Sequence, residues 1–205
     1  MSNNMDLGYE MFCYQCEQTA GGKGCTKQGV CGKTAEVANL QDLLLYQLKG
    51  ISVYAKALMD AGENPEPRVV RFVENCLFTT LTNVNFDAAV HVDLLKQSQK
   101  IKEELRGRAK KARLAEPKAV QAAFNLPETK SEMLRVAEVA GIMYEQDLDP
   151  DVRSLCMTIL YGLKGISAYG HQARELGYAS AQVDAFYLEA LSALTDDALS
   201  AEDLI

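Results

Sequence analysis

The chain has no tryptophan, only two histidines, and no apolar run long enough to cross a bilayer. A membrane-spanning helix needs about 20 predominantly apolar residues, so the sequence predicts no membrane segment. The start, MSNNMDLGYE, lacks the basic and apolar regions of a secretory signal, and we expect no signal peptide. With these signals absent, a cytoplasmic location is expected.

An excess of positive charge is also absent. The 21 Lys and Arg residues are outnumbered by 28 Asp and Glu residues, which gives a net charge of −7 at pH 7. Non-specific binding to nucleic acid depends on a basic surface, so nucleic acid is not expected among the partners. The sequence also lacks the motifs of phosphate-binding loops, dinucleotide-binding folds and serine hydrolases.

Strand patterns are missing as well. No stretch of any length alternates apolar and polar residues, and apolar residues after Lys33 recur with helical spacing. The predicted fold class is therefore all-α. Residues 1–10 are predicted to be a disordered extension, and residues 11–33 a cysteine-rich and glycine-rich cluster-binding loop. Residues 34–114 are predicted to form a first helical bundle and residues 129–205 a second, joined by a proline-containing linker at residues 115–128.

Local signals predict where several helices begin and end. Thr34 is placed to cap the first helix, and Gly62 to end it. Thr129 and Glu132 have the spacing of a capping box. Asp149, followed by a proline, predicts another helix start. Ser200, three residues before an aspartate, predicts one more, so we expect the second bundle to be cut short at its C-terminus.

An internal repeat links the two halves. LYQLKGISVYA at residues 45–55 matches LYGLKGISAYG at residues 160–170, an offset of 115 positions. The same offset pairs Gly62 with Gly177 and Glu74 with Glu189. Repeats of this length indicate one helical unit used twice, so we predict two similar three-helix bundles.

What the sequence does have is a concentration of cysteine. Four of the six cysteines, Cys13, Cys16, Cys25 and Cys31, follow a C-x2-C-x8-C-x5-C spacing. The surrounding glycines allow the backbone to approach sulfur closely. Three lysines against one glutamate give residues 11–33 a net charge of +2, which favours thiolate over thiol.

Three interpretations of these cysteines remain open. A disulfide framework is disfavoured in a reducing cytoplasm and unnecessary in a chain of this length. Four thiolates suit structural zinc, although zinc ribbons usually have two short C-x2–4-C pairs and this chain has one. An iron–sulfur cluster fits the spacing better, because its cysteine spacings are more varied. If the four cysteines bind zinc, the chain is instead a non-catalytic helical interaction module with a structural zinc site.

The residues around these cysteines resemble a known family. MFCYQCEQTAGGKGC and GVCGKTAEVANLQDLLLYQLKGIS are similar to the N-terminus of the hybrid-cluster protein (prismane, hydroxylamine reductase) family. RFVENCLFTTLTNVNFD and DVRSLCMTILYGLKGISAYGHQARELGY resemble the next segments of that family in order. The resemblance implies that Cys13, Cys16, Cys25 and Cys31 bind a cubane 4Fe–4S cluster.

The resemblance also implies what the chain lacks. Family members are more than twice as long, and the hybrid cluster that reduces hydroxylamine takes its ligands from later domains. No catalytic residue is therefore assigned here, and the chain is expected to relay electrons to a hybrid cluster found only in full-length relatives. The implied partners are a redox donor protein or small electron carrier and the remaining domains of the enzyme. A homodimer is left open.

The other reactive side chains are interpreted as structural. Cys76 and Cys156 lie among apolar residues on predicted helices, a common position for unreactive cysteine. His91 and His171 are 80 positions apart, and neither has an evident catalytic partner in the sequence. A histidine-dependent hydrolase is therefore not expected.

Overall fold

Seven α-helices make up most of the chain in a computed structural model that describes residues 10–138, 140 and 148–205. The helices are α1 (Ala35–Asp60), α2 (Pro67–Thr79), α3 (Ala88–Lys111), α4 (Val120–Ala123), α5 (Lys130–Ala137), α6 (Pro150–Glu175) and α7 (Ala181–Ala193). Two short 3-10 helices cover Ala20–Gly22 and Glu202–Leu204. These described ranges contain no β-strand, and the all-α prediction is confirmed. The predicted extension, residues 1–10, lies outside them except for Glu10.

The predicted caps hold the helix ends. The Thr34 hydroxyl accepts a hydrogen bond from the backbone N–H of Val37 at 3.3 Å. Thr129 and Glu132 form the capping box at the start of α5. Asp149 accepts hydrogen bonds from two N–H groups in the first turn of α6. Each cap satisfies donors that the helix itself leaves unpaired, so these boundaries follow from local sequence.

The internal repeat corresponds to a helix–turn–helix unit. Helices α1 and α6 are both 26 residues long and begin and end at positions 115 residues apart. Each is followed by a glycine with positive φ, +94° at Gly62 and +85° at Gly177. Glycine adopts this conformation without a steric penalty, which is why it ends both long helices.

The two halves share one hydrophobic core. Helix α1 packs against α3 and α7, and α2 packs mainly against α6, so the long helix of each copy contacts the short helix of the other. A single cluster of buried apolar residues draws on both halves, among them Leu48, Val73, Leu163 and Leu188. The grouping into two three-helix bundles is thus not confirmed, and the predicted domain boundaries stay a prediction.

An ion pair is buried where α2 meets α6. Glu74 is only 1% exposed and accepts hydrogen bonds from Arg174 Nε at 3.0 Å and Arg174 Nη2 at 3.1 Å. Asp184 on α7 accepts a third hydrogen bond from Arg174 at 2.7 Å. These two carboxylates raise the pKa of Arg174, with the hydrogen bond to Glu74 as the largest cause. The pair therefore ties the second copy of the repeat to the first.

No helix among the described residues is long and apolar enough to cross a membrane.

Candidate metal centre

The cysteine loop, residues 11–33, is closed by a short antiparallel pairing of its backbone. Cys13 N–H donates to Cys25 O at 3.0 Å, and Cys25 N–H donates to Cys13 O at 2.8 Å. Met11 N–H extends the pairing to Thr26 O at 3.3 Å. The structure thus brings Cys13 and Cys25 opposite each other, although 12 positions separate them in the chain.

The sulfur of Cys25 is buried and accepts a hydrogen bond from the backbone. The residue is 4% exposed, and the donor is the backbone N–H of Ala20, at 3.4 Å from Sγ. The Thr19 hydroxyl lies 3.7 Å from the same sulfur. Backbone donors at Ala20 and Val30 lower the pKa of the Cys25 thiol, although burial acts in the opposite direction. Stabilised thiolate is the form that binds metal.

Glycine has two separate uses in this loop. Gly32 has a φ of +90°, which a residue with a side chain rarely adopts. Gly29 has no positive φ, but a Cβ at this position would lie 3.0 Å from Cys31 Sγ. A side chain there would therefore press on the sulfur. The predicted close approach of backbone to cysteine is observed at Gly29.

The four predicted ligands are only partly assembled for a single ion. Cys13, Cys16 and Cys31 are partly exposed, Cys25 is buried, and all four are free thiols. Within the described part of the chain, no group of three or more His, Cys, Asp or Glu side chains could hold one metal ion. A zinc site places all its sulfurs about 2.3 Å from one centre. The shared ligand role of these cysteines stays a prediction.

The remaining cysteines lie apart from the loop. Cys76 is fully buried in the core, and burial raises the pKa of its thiol, so it is held as a neutral core residue. Cys156 is a partly buried residue packed against the same core.

The histidines are structural by their contacts. His91 is fully buried, with Nδ1 at 2.7 Å from the carbonyl oxygen of Asp87 and Nε2 at 3.3 Å from the Gln41 side-chain amide. Burial lowers the pKa of His91. His171 Nδ1 lies 3.0 Å from Asn75 Oδ1, and its ring stacks on Phe78 with centroids 4.8 Å apart.

A cavity of about 60 Å³ lies between the cysteine loop and the long helices. Both copies of the repeat line it with the same residues, in the pairs Leu45 and Leu160, Tyr46 and Tyr161, and Lys49 and Lys164. Cys13 and Lys33 line it from the loop side. Two buried lysines of the long helices, Lys49 and Lys164, therefore face the loop, and sequence reasoning missed both. The repeat offset aligned Lys49 with Lys164, which was the available signal.

Lys164 is the most enclosed of these lysines. It is 2% exposed, and its Nζ donates to Gln15 Oε1 at 3.0 Å and to Thr80 O at 3.3 Å. Nζ also lies 5.8 Å from the centre of the Tyr161 ring. Burial lowers the pKa of Lys164 to about 8, with Asp42 acting in the opposite direction. A costly buried charge is thus placed directly behind the cysteine loop.

Comparison with known proteins identifies the family of this chain. The family model described as Prismane/CO dehydrogenase family matches residues 11–205. The chain belongs to this family. Its match begins at the first residue of the cysteine loop and includes both copies of the helical repeat.

Several curated proteins similar to this chain are named hydroxylamine reductase. A hydroxylamine reductase from Thermoanaerobacter pseudethanolicus is 40% identical over 195 residues, covering 95% of this chain and 35% of the relative. A hydroxylamine reductase from Syntrophobacter fumaroxidans is 46% identical, covering 89% of this chain and 34% of the relative. One from Desulfovibrio desulfuricans is 42% identical, covering 95% of this chain and 35% of the relative. The chain spans about a third of the length of these proteins.

Proposed function

We propose that this chain is an electron-transfer domain of a hydroxylamine reductase, and that Cys13, Cys16, Cys25 and Cys31 bind a 4Fe–4S cluster. Membership of the Prismane/CO dehydrogenase family over residues 11–205 supports the assignment. The names of the relatives at about 40% identity support the reductase context. The observation that carries the proposal is the Cys25 sulfur, which is buried yet receives a backbone hydrogen bond from Ala20.

The donor set fits an iron–sulfur cluster. Four cysteines are the usual ligands of such a cluster, and amide hydrogen bonds to their sulfurs adjust its reduction potential. In a cubane each cysteine binds a different iron, so the four sulfurs lie farther apart than the ligands of a single ion. The described side chains form no group suited to a single ion, which is compatible with this wider spacing. Zinc remains the alternative outcome.

The protein's own residues shield the loop and hold its sulfurs in place. When bound, the cluster supplies reversible one-electron chemistry. Thr19 donates to Cys13 O at 3.1 Å, which fixes the backbone beside one predicted ligand. Phe12 and Tyr14 pack with centroids 5.3 Å apart, and Tyr14 packs edge-on to Tyr161 at 5.9 Å. These rings place apolar surface between the loop and the helices.

We assign to this chain only the electron-transfer part of the activity for which its full-length relatives are named. The proposed path takes electrons from a donor protein or small carrier and passes them to the remaining domains, where hydroxylamine would be reduced. The chain alone should exchange electrons without reducing hydroxylamine. A homodimer and a cytoplasmic location stay predictions.

The test is metal and acid-labile sulfide content of anaerobically purified protein, with visible spectra before and after dithionite. We expect about four iron and four sulfide per chain and a broad band that bleaches on reduction. Cys25→Ala should lose most of the iron, whereas Cys156→Ala, a cysteine remote from the loop in sequence, should retain it. One zinc per chain without sulfide would contradict the proposal and leave a helical module with a structural metal.

A further inference from the structure

A hydrogen-bonded chain connects the second half of the molecule to one predicted ligand. Lys164 Nζ on α6 donates to Gln15 Oε1 at 3.0 Å, across 149 positions of sequence. Gln15 Nε2 in turn lies 3.9 Å from Cys13 Sγ, within the range of a hydrogen bond to sulfur. Gln15 stands inside the C-x2-C pair, so Lys164 reaches the loop at its first ligand.

The lysine determines which way the glutamine amide faces. An ammonium group has only donors, whereas an amide has an oxygen that accepts and an NH2 that donates. The Gln15 oxygen must therefore face Lys164, and its NH2 is left facing Cys13. Without the lysine, the two orientations of the amide would be much closer in energy, and the oxygen could face the sulfur. The contact is thus directional and goes beyond local charge.

We propose that Lys164 is a positioning residue that holds the Gln15 amide as a donor to Cys13 Sγ and so raises the reduction potential of the bound cluster. This inference rests on the proposed 4Fe–4S function. Reduction adds negative charge to the cluster and its sulfurs, and donors to sulfur stabilise the reduced form. Groups that orient ligand contacts in this way commonly adjust metal sites.

Charge acting through space is the competing explanation. Lys49 lines the same cavity from α1, at the repeat position equivalent to Lys164. Any positive charge in this cavity would favour reduction to some extent. The two explanations differ in one respect, because only the relay requires Gln15. Removing Gln15 should abolish an effect carried by the relay and should leave a through-space effect nearly unchanged.

The experiment is a double-mutant cycle on the midpoint potential of the anaerobically reconstituted full chain. The proteins are wild type, Lys164→Met, Gln15→Leu and the double variant, with Lys49→Met as the matched control. Potentials are measured by mediated redox titration followed by EPR. Iron and sulfide content and thermal unfolding are recorded for each protein, so that loss of the cluster is distinguished from a change in its potential.

Lys164→Met and Gln15→Leu should each lower the equilibrium constant for reduction about tenfold, which lowers the midpoint potential by about 59 mV for one electron. The double variant should show no more than either single change, because both remove the same contact. Lys49→Met should shift the potential less. If Lys164→Met does not fold, Lys164→Gln replaces it, because the Gln side chain keeps similar bulk without the ammonium group, and Gln15→Leu still tests the donor to Cys13 Sγ.

Three results would overturn the inference. The first is a double variant whose shift is the sum of the two single shifts, which would mean that Lys164 acts on the cluster independently of Gln15. The second is an unchanged potential in both single variants with a full cluster. The third is a chain that binds no iron–sulfur cluster in any variant, and this result would remove the proposed function as well. Iron and sulfide content therefore separates failure of the relay from failure of the function.

Discussion

The two copies of the repeat motif, residues 45–55 and 160–170, are identical at eight of 11 positions but have different surroundings. Tyr54 on α1 is 1% exposed, whereas its counterpart Tyr169 on α6 is 83% exposed. Helix α3 and the segment after it cover α1, and among the described elements no equivalent helix covers α6. The shared motif thus specifies the helix and its turn. What lies against each copy is decided elsewhere in the chain.

The copies remain equivalent on one side only. Lys49 and Lys164 both face the cavity behind the cysteine loop. Tyr46 and Tyr161, three residues before these lysines, also line it. On the side of the helix away from the cavity, Tyr54 and Tyr169 have diverged in burial. The part of the motif that is used twice in the same way is therefore the part that meets the proposed metal site.

The largest expected difference between the copies lies in their interfaces with each other. Arg174→Met would leave Glu74 buried without its partner, and such a change costs about 3–5 kcal/mol. We expect that loss in the free energy of unfolding, measured with chemical denaturant near neutral pH. Glu74→Gln in the Arg174→Met background should recover part of it, because the uncompensated charge is removed.

The matched control is at the equivalent interface. Repeat positions equivalent to Arg174 and Glu74 hold Met59 and Glu189. Met59 carries no charge, and Glu189 is exposed. Glu189→Gln should therefore change the free energy of unfolding by less than about 0.5 kcal/mol. A loss as large as that of Arg174→Met would mean that the two interfaces are equivalent after all.

A smaller effect should separate the glycines of the shared KGIS sequence. A Cβ on Gly50 would overlap the carbonyl group of Gln121, whose carbon would be 2.8 Å away, whereas a Cβ on Gly165 would meet nothing within 4 Å. Gly50→Ala should destabilise the protein by about 1–3 kcal/mol through overpacking against backbone. Gly165→Ala should stabilise it by up to about 1 kcal/mol, because alanine favours the helix. Thermal and denaturant unfolding of both variants measure these changes, and equal effects would contradict the packing difference.

Local sequence was sufficient for the features that depend on a few neighbouring residues. The caps at Thr34 and Thr129, the glycine turns and the all-α class are specified by hydrogen bonds and backbone conformations within one turn. The backbone approach to sulfur at Gly29 is likewise local. The ligand set came from cysteine spacing and from resemblance to a family.

Long-range packing could not be obtained in the same way. Nothing near Lys164 in the sequence indicates that its Nζ contacts Gln15, which lies 149 positions earlier. The exchange of partners between the copies, with α1 on α7 and α2 on α6, also depends on the tertiary fold. Apolar periodicity identifies a buried face but does not say which helix covers it.

The smallest expected effect concerns the two tyrosine hydroxyls. Tyr54 donates to Glu116 Oε1 at 3.1 Å, so Tyr54→Phe should cost about 0.5–1.5 kcal/mol in the free energy of unfolding. Tyr169 projects into solvent, and Tyr169→Phe should change it by less than about 0.5 kcal/mol near neutral pH. Chemical denaturation of the two variants measures both changes in the free energy of unfolding.

Alkaline pH should make the role of Tyr54 easier to detect. Burial, together with Glu116, raises the pKa of Tyr54 above its usual value. In the unfolded chain a tyrosine loses its proton near pH 10, so above that pH the unfolded state gains ionised phenol that the folded state resists. Folded wild type therefore loses stability as pH rises through about 10. Tyr54→Phe should lose less over the same range, since phenylalanine cannot ionise. Burial also raises the pKa of Tyr46, Tyr161 and Tyr187, so part of the alkaline loss should remain in this variant. A loss as steep as that of wild type would show that the Tyr54 phenol is not held neutral in the folded state.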